Sequence, residues 1–336
     1  MTSAARFGKK IMGRKRKGSP IHGWIVLDKP EGITSTQAVS RVRRALDAQK
    51  AGHAGTLDPL ATGVLAIALG EATKTVPYVM DGQKRYRFTA RWGVATDSDD
   101  SQGEITEQSE ARPSRDEILA RIPDFVGEIS QVPPQFSAVK VDGARAYDLA
   151  REGAEFVLKA RNITIHKAEL VEVPDTDHAV FEMECSKGSY VRAWVRDLAK
   201  ALGTFGHVVA LRRLQVGSFF AESAISLESL EALGHSPAAL EQILPISTAL
   251  DDIPALAVTG SDSVRLRNGN PILIRAPQMA RLASAQGASE TGREGGSIQG
   301  LTVFLSTAKG EPIALAEVAE GELRPFRVFN MGLSTA

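Results

Sequence analysis

The sequence predicts an α+β protein, a mixed or antiparallel sheet flanked by helices, followed by a small β-barrel-like unit. Three observations carry this. Strand-like and helix-like segments are interspersed from Ile21 to about Asp252 without a regular strand–helix–strand rhythm. From Ile253 onward, short apolar runs are separated by Gly, Asn and Pro turns. The 336 residues, 43% hydrophobic and 24% charged, exceed one ordinary small domain and supply core material for two.

Taken in order, residues 1–20 hold Arg6, Lys9, Lys10, Arg14, Lys15, Arg16 and Lys17 and no acid. Those seven taken from the 40 basic residues leave 33 against 40 acidic, so the body is mildly acidic beneath a net charge of zero. The arm has no apolar stripe and no secretory segment follows it. It reads as a disordered, solvated tail whose functional use is electrostatic contact with phosphate backbones. Thr34 and Ser35 suit a helix cap, ahead of Val39, Val42 and Leu46 at helical spacing. Gly63 to Gly70 is short, apolar and glycine-bounded, as a buried strand is. In Lys84 to Trp92, Tyr86, Phe88, Ala90 and Trp92 alternate with Arg85, Arg87, Thr89 and Arg91, giving a strand with an aromatic and a basic face.

Ser114 and Glu117 form a capping box before Ile118, Leu119, Ile122 and Phe125. Phe181, Met183 and Cys185 alternate with polar residues in a further strand. A helix follows from about Tyr190, burying Val195, Leu198 and Leu202 and ending at Gly203. In the last unit, Pro271–Ile274, Leu301–Leu305 and Ile313–Val318 are the strand candidates, and the Gly/Ala/Ser-rich stretch 283–300 reads as a mobile loop. The expected division is a tail at 1–20, a catalytic unit at 21–252 and a second domain at 253–336.

Several function classes drop out. No G-x-G-x-x-G fingerprint or Walker loop supports a nucleotide cofactor. Histidines 22, 53, 166, 178, 207 and 235 are scattered without ligand spacing, and Cys185 stands alone, so neither a disulfide nor a zinc deaminase site is supported. A single cysteine suits the reducing cytoplasm. The longest apolar run, Val64 to Leu69, is far too short to cross a bilayer. An enzyme of this composition works with side chains alone, with neither metal nor cofactor.

The densest region is 51–65, AGHAGTLDPLATGVL, in which small residues frame His53 and Asp58. Alone, Asp58-Pro59 is explained equally by an Asx turn or a helix cap. The stretch resembles the catalytic motif of the TruB family of tRNA pseudouridine synthases, and the likeness extends further. Leu27 to Ser35 looks like that family's first motif, Lys84-Arg85-Tyr86-Arg87 its tyrosine strand, and Gln131 to Lys140 its proline-rich segment. Cys185 to Arg192 with Asp197-Leu198, and Gly206 to Leu214, resemble its later motifs. The resemblance covers about residues 21–220 in order. It weakens beyond, where the C-terminal piece looks only generally like an RNA-binding PUA-type domain.

The resemblance implies the pseudouridine synthase fold and a reaction that converts uridine 55 in the TΨC loop of tRNA to pseudouridine. It aligns Asp58 with the essential aspartate, Tyr86 with the tyrosine packed on the base, Arg192 with the arginine paired to the aspartate, and Asp100 with a second carboxylate of that network. Lys29, His53, Tyr190 and Leu211 fall at substrate-contacting positions, with Arg212, Arg213, Arg85, Arg87 and the basic arm expected on phosphates. Phe136 and Trp92 stand where tyrosine and leucine are the family pattern, which keeps bulk but removes a hydroxyl at 136. In the reaction the N1–C1′ bond breaks, the uracil turns, C5 bonds to C1′ as its proton is released and N1 takes one up; no atoms are gained or lost overall, so no cofactor is required. Asp58 attacks C1′, attacks C6 or takes a sugar proton, three routes the sequence leaves open. Burial raises a carboxylate's pKa and a guanidinium lowers it, and an Arg192 partner is expected to keep Asp58 charged. His53 is the candidate to fill the space left by the extruded base. The expected protein is a monomer acting on tRNA without membrane or obligatory protein partner. A guide-RNA-dependent synthase and a non-catalytic RNA-binding or RNA-folding protein are the alternatives.

Overall fold

The computed structural model describes residues 18–141, 143–287 and 298–331. The basic arm through Lys17 and residues 288–297 of the expected loop lie outside them. The fold opens with β1 (Gly23–Lys29), α1 (Ser35–Ala45), β2 (Ala51–His53) and β3 (Thr62–Leu69). After α2 (Val76–Asp81) and β4 (Lys84–Trp92), β5 (Val94–Thr96) and β6 (Ile105–Gln108) form a separate ladder. Next come α3 (Arg115–Arg121), β7 (Gly127–Gln131), the short pair β8 (Lys140–Val141) and β9 (Ala144–Arg145), and α4 (Ala146–Arg151). The hairpin of β10 (Arg161–Glu172) and β11 (His178–Cys185) leads to α5 (Val191–Ala201) and β12 (Gly206–Val216). Closing this unit are β13 (Phe219–Phe220), β14 (Ile225–Ser226), α6 (Leu227–Leu233) and α7 (Pro237–Glu241).

One ten-stranded sheet runs β14–β1–β3–β12–β4–β11–β10–β7, with β2 added to β3 and β13 to β12. Pairing is parallel at β14/β1 and β3/β12 and antiparallel elsewhere, so the sheet is mixed and largely antiparallel as the sequence predicts. Alternation in β1 and β3 sends Ile25, Leu27, Leu65, Ile67 and Leu69 to one core, against Val42 of α1 and Leu230 of α6. Trp24, Val26, Val64, Ala66 and Ala68 face the opposite side and pack with Phe304, Leu315 and Phe329. Burial on both faces explains why 64–69 reads as an unbroken apolar run.

That second face is covered by the C-terminal unit: β15 (Ala255–Ala257), α8 (Gly260–Arg267), β16 (Ile272–Leu273), α9 (Ala276–Gly287), β17 (Thr302–Ser306), β18 (Pro312–Ala319) and β19 (Glu322–Val328). Its five strands are ordered β15–β17–β18–β19–β16. Polar ties join the two sheets: Lys74 Nζ donates to Val328 O at 2.7 Å, and the Asn330 amide to Glu71 at 2.7 Å. The sequence expectation of a loop from residue 283 is corrected, because α9 continues to Gly287. Its Ala, Arg, Leu and Gln residues are strong helix formers, which a count of small residues obscures. In α3, only seven residues long, Ile118 turns into the core and Leu119 is exposed.

Two local features aim the sheet's loops at one place. Thr34 caps α1 in a full capping box with Gln37. This releases Ser35, whose hydroxyl both donates to Leu57 O at 3.0 Å and accepts from the Leu57 amide at 2.9 Å. Gly63, at φ 92°, lets β3 lie directly on the β12 backbone: a Cβ there would stand 2.2 Å from Arg213 O. Backbone on both sides cannot yield. Gly63→Ala is therefore expected to lose about 3 kcal/mol of stability in urea denaturation. A loss below about 0.5 kcal/mol would contradict this close approach.

Candidate active site

The residues 54–61 between β2 and β3 form a loop held from three directions. Ser35 of α1 fixes Leu57 as described. From the end of β1, Lys29 Nζ donates to Pro30 O (2.8 Å), Ile33 O (2.8 Å) and Pro59 O (3.3 Å), while the Gly32 amide donates to Pro59 O at 2.8 Å. From β12, Arg213 donates through Nη2 to Gly55 O (3.0 Å) and through Nε to Val64 O (2.7 Å). Asp58 sits at the tip of this loop.

Facing it is the first turn of α5. Gln131 accepts from the Tyr190 amide at 2.9 Å and donates back to Tyr190 O at 3.1 Å, fixing the helix start. Arg192, 3% exposed, then reaches Asp58 Oδ2 (2.9 Å) and Asp100 Oδ2 (3.3 Å) and donates to Ser98 O (2.6 Å) and Phe136 O (2.8 Å). Asp100 is itself held by the Ser98 hydroxyl at 2.6 Å and the Gln102 amide at 3.0 Å. Asp58 keeps about a third of its side-chain surface open, 34%, into a cleft of about 260 Å³. Tyr86, Leu211, Tyr190 and Lys84 are among the cleft's walls.

Electrostatically, burial dominates. It pushes the Asp58 pKa above the ordinary carboxylate value, with Asp100 adding to the rise and Arg192 and Lys29 opposing it. The guanidinium thus limits a rise that desolvation causes. Burial likewise raises the Tyr86 phenol, countered by Arg213, which lies directly across the β4/β12 ladder. His53 is shifted down by burial and by Arg213, which favours the neutral ring. It ends β2, half-buried, two residues before Gly55 and outside the cleft wall.

Of the ten site residues expected from sequence, the structure brings Asp58, Tyr86, Arg192, Tyr190, Leu211 and Arg213 to one cleft, with Asp100 behind Arg192. Lys29 and Arg213 are inward-facing. Lys29 is fully buried and spends its ammonium on three carbonyls, and Arg213 is 1% exposed, so both hold the loop. Arg212 is bidentate to Asp28 (2.8 and 3.0 Å) yet still open, sharing a neighbouring cleft of about 290 Å³ with Arg87. Lys84 was missed. Two residues before Tyr86 on one strand face, it donates to Met80 O and to Gly82 O at 2.6 Å, and burial lowers its pKa to about 8. Among the described residues no group of three or more His, Cys, Asp or Glu could hold a metal ion.

The mixed sheet presents an arginine-held aspartate in the same cleft as a strand tyrosine. Solved structures share the fold: a Cbf5–Nop10–Gar1 complex (TM-score 0.67, 24% identity, covering 92% of this chain and 85% of that one) and an H/ACA RNP bound to a substrate RNA containing 2′-deoxyuridine (0.67, 22%, 96% and 92%). The model of the TruB family pseudouridylate synthase N-terminal domain matches residues 43–191, and that of the tRNA pseudouridylate synthase B C-terminal domain matches 192–251. The tRNA pseudouridine synthase B of Caulobacter sp. (strain K31) is 53% identical over 321 residues, 95% of this chain and 100% of that protein. Its counterpart in Bradyrhizobium diazoefficiens is 52% identical over 327 residues, 96% and 90%. The chain belongs to the TruB family.

The burial of Lys29 has a measurable signature. Its pKa is lowered to about 8 by desolvation, so between that value and the ordinary 10.5 the unfolded chain holds a proton that the folded chain lacks. Stability contributed at this position therefore rises with pH across that window. Lys29→Met should cost about 2 kcal/mol by orphaning buried carbonyls, and the wild-type minus variant difference should grow from about pH 8 upward. Unchanged stability with weakened RNA binding would instead make Lys29 a substrate contact.

Proposed function

We propose that this chain isomerises uridine 55 in the T loop of tRNA to pseudouridine, acting as a monomer without an obligatory protein partner. The observation that carries the reading is the Asp58 carboxylate, anchored by Arg192 and lining a cleft walled by Tyr86 and Leu211. Relatives named tRNA pseudouridine synthase B match along nearly the whole chain, which supports tRNA as the substrate.

Each role of the protein's groups follows from position. Asp58 is the reacting carboxylate, and each of the three routes requires it ionised. Arg192, seated behind it, keeps it aimed and moderates the pKa rise. Tyr86 gives the detached uracil a flat surface during rotation, with a hydroxyl able to pass a proton. Leu211 packs on the base, and Tyr190 stands at the start of α5 beside it. A neutral His53 fills the gap the extruded uridine leaves, and the open Arg87 and Arg212 take backbone phosphates. Residues 21–252 form the catalytic unit, and 253–336 a PUA-type domain that adds RNA contacts. Among the described residues no helix is long and apolar enough to cross a membrane, and we place the enzyme in the cytoplasm with its tRNA substrate.

The test uses a tRNA transcript and an isolated T-arm stem-loop carrying C5-tritiated uridine, with no metal, nucleotide or second protein. Both RNAs should release tritium. Asp58→Asn should bind tRNA within several-fold of wild type but lose turnover by roughly 10⁴-fold or more. Release only on addition of a guide RNA or partner would contradict the stand-alone reading. Substantial release by Asp58→Asn would remove Asp58 from its role.

A further inference from the structure

Arg192 has a counterpart one helical turn along α5. Arg196 reaches Asp99 Oδ2 through Nη1 (2.9 Å) and Asp197 Oδ1 through Nε (2.8 Å), and donates from Nη2 to Val132 O at 2.8 Å. The two arginines repeat one pattern. Arg192 takes Asp100 and the Phe136 carbonyl; Arg196 takes the adjacent Asp99 and the Val132 carbonyl. The same two segments, the turn 97–103 and the proline-rich stretch 131–138, are thereby fastened to α5 at two successive points.

The turn is shaped for this. Asp99 has φ 59°, in the left-handed region that a non-glycine residue seldom occupies. Its amide donates to Thr96 O (3.2 Å), its carbonyl accepts from the Val208 amide (3.1 Å), and the Ser101 amide donates to Val208 O (2.9 Å). With β12 gripping the backbone, the consecutive carboxylates of Asp99 and Asp100 are directed at consecutive arginines of the helix.

We propose that Arg196 and Asp99 are positioning residues for the isomerisation, fixing Asp100 and the Phe136 carbonyl where Arg192 needs them to aim Asp58 into the cleft. The proposal rests on Asp58 being the reacting carboxylate. Arg196 does not line the cleft, and its polar partners are Asp99, Asp197 and the Val132 carbonyl, so it acts through the acceptors of Arg192. Reacting groups displaced by about 1 Å can lose about 100-fold in rate, so a support one turn away is enough to matter.

A stability role alone fits poorly. Burial pushes Asp99 up to about 6 despite the pull of Arg196 and Arg192, with Asp197 adding repulsion. These charges all come from α5; on the β12 side His207 directs Nδ1 to Val94 O and is shifted toward neutrality by burial. A raised carboxylate pKa means that the ionised form costs folding free energy above the ordinary value, a cost relieved as pH falls through about 6. Ionised Asp99 is thus retained at the expense of stability.

The experiment compares Asp99→Asn, Arg196→Met and Arg196→Lys with wild type and with Asp58→Asn as the control. Single-turnover rates at saturating tRNA, Kd and Tm are measured across the acid limb of the pH profile. Asp99→Asn should slow the chemical step about tenfold with Kd unchanged and Tm at pH 7.5 no lower than wild type. Arg196→Met should slow it at least as much and move the acid limb to higher pH, because a loosened Arg192 opposes the Asp58 rise less well. Arg196→Lys should recover part of the rate. Wild-type saturated rates and an unmoved acid limb in all three, with only Tm altered, would overturn the proposal. Turnover by the Asp58→Asn control would instead remove the catalytic reading, and the proposal with it.

Discussion

The Arg192 guanidinium is a permanent charge buried among oxygens drawn from three distant stretches of chain: Asp58, the 98–100 turn and Phe136. An uncompensated charge in that place would cost several kcal/mol, so each stretch must arrive for the fold to close. The loop of residues 54–61 cannot relax away from α5 without leaving the arginine short of an acceptor. This requirement couples the site to the sheet: β1 and β12 hold the loop through Lys29 and Arg213, and Gln131 at the end of β7 holds the start of α5. Long cationic side chains serve here as cross-links between backbone carbonyls as much as they serve as charges.

Burial and charge act against each other on the two acidic groups of the cleft, Asp58 and Tyr86. Desolvation raises Asp58 and Tyr86 and lowers Lys84 and His53, while Arg192 and Arg213 restrain the acids. The outcome is a carboxylate kept less acidic than in water yet held by a guanidinium, the kind of perturbed acid found at functional sites. Opening the cleft to solvent would return these groups to ordinary values and end the distinction between Asp58 and any surface aspartate.

Much of this was legible in the sequence. Alternation gave β4 residue for residue, the capping box at Ser114 gave the start of α3, and the framed Asp58 gave the loop. The buried roles of Lys29 and Arg213 escaped a reading that assigns basic residues to solvent, although period two contained the signal. Lys29 shares a strand face with Ile25 and Leu27, and Arg213 with Leu211. The polar texture of β10 and β19 hid them, since each has one poorly buried face and little apolar contrast. Asp99 and Arg196 carry no local signature at all. Their pairing spans 97 residues and exists only because α5 and the 97–103 turn meet across β12.

The central claim is that Arg192 restrains a burial-driven rise in the Asp58 pKa. It is tested most directly on the free protein by following the Asp58 side-chain carboxyl carbon in a selectively 13C-labelled NMR titration, for wild type and Arg192→Met. The wild-type midpoint should lie above the ordinary carboxylate value, and removal of the guanidinium should move it higher still. A wild-type midpoint at or below the ordinary value, unmoved in the variant, would contradict the account.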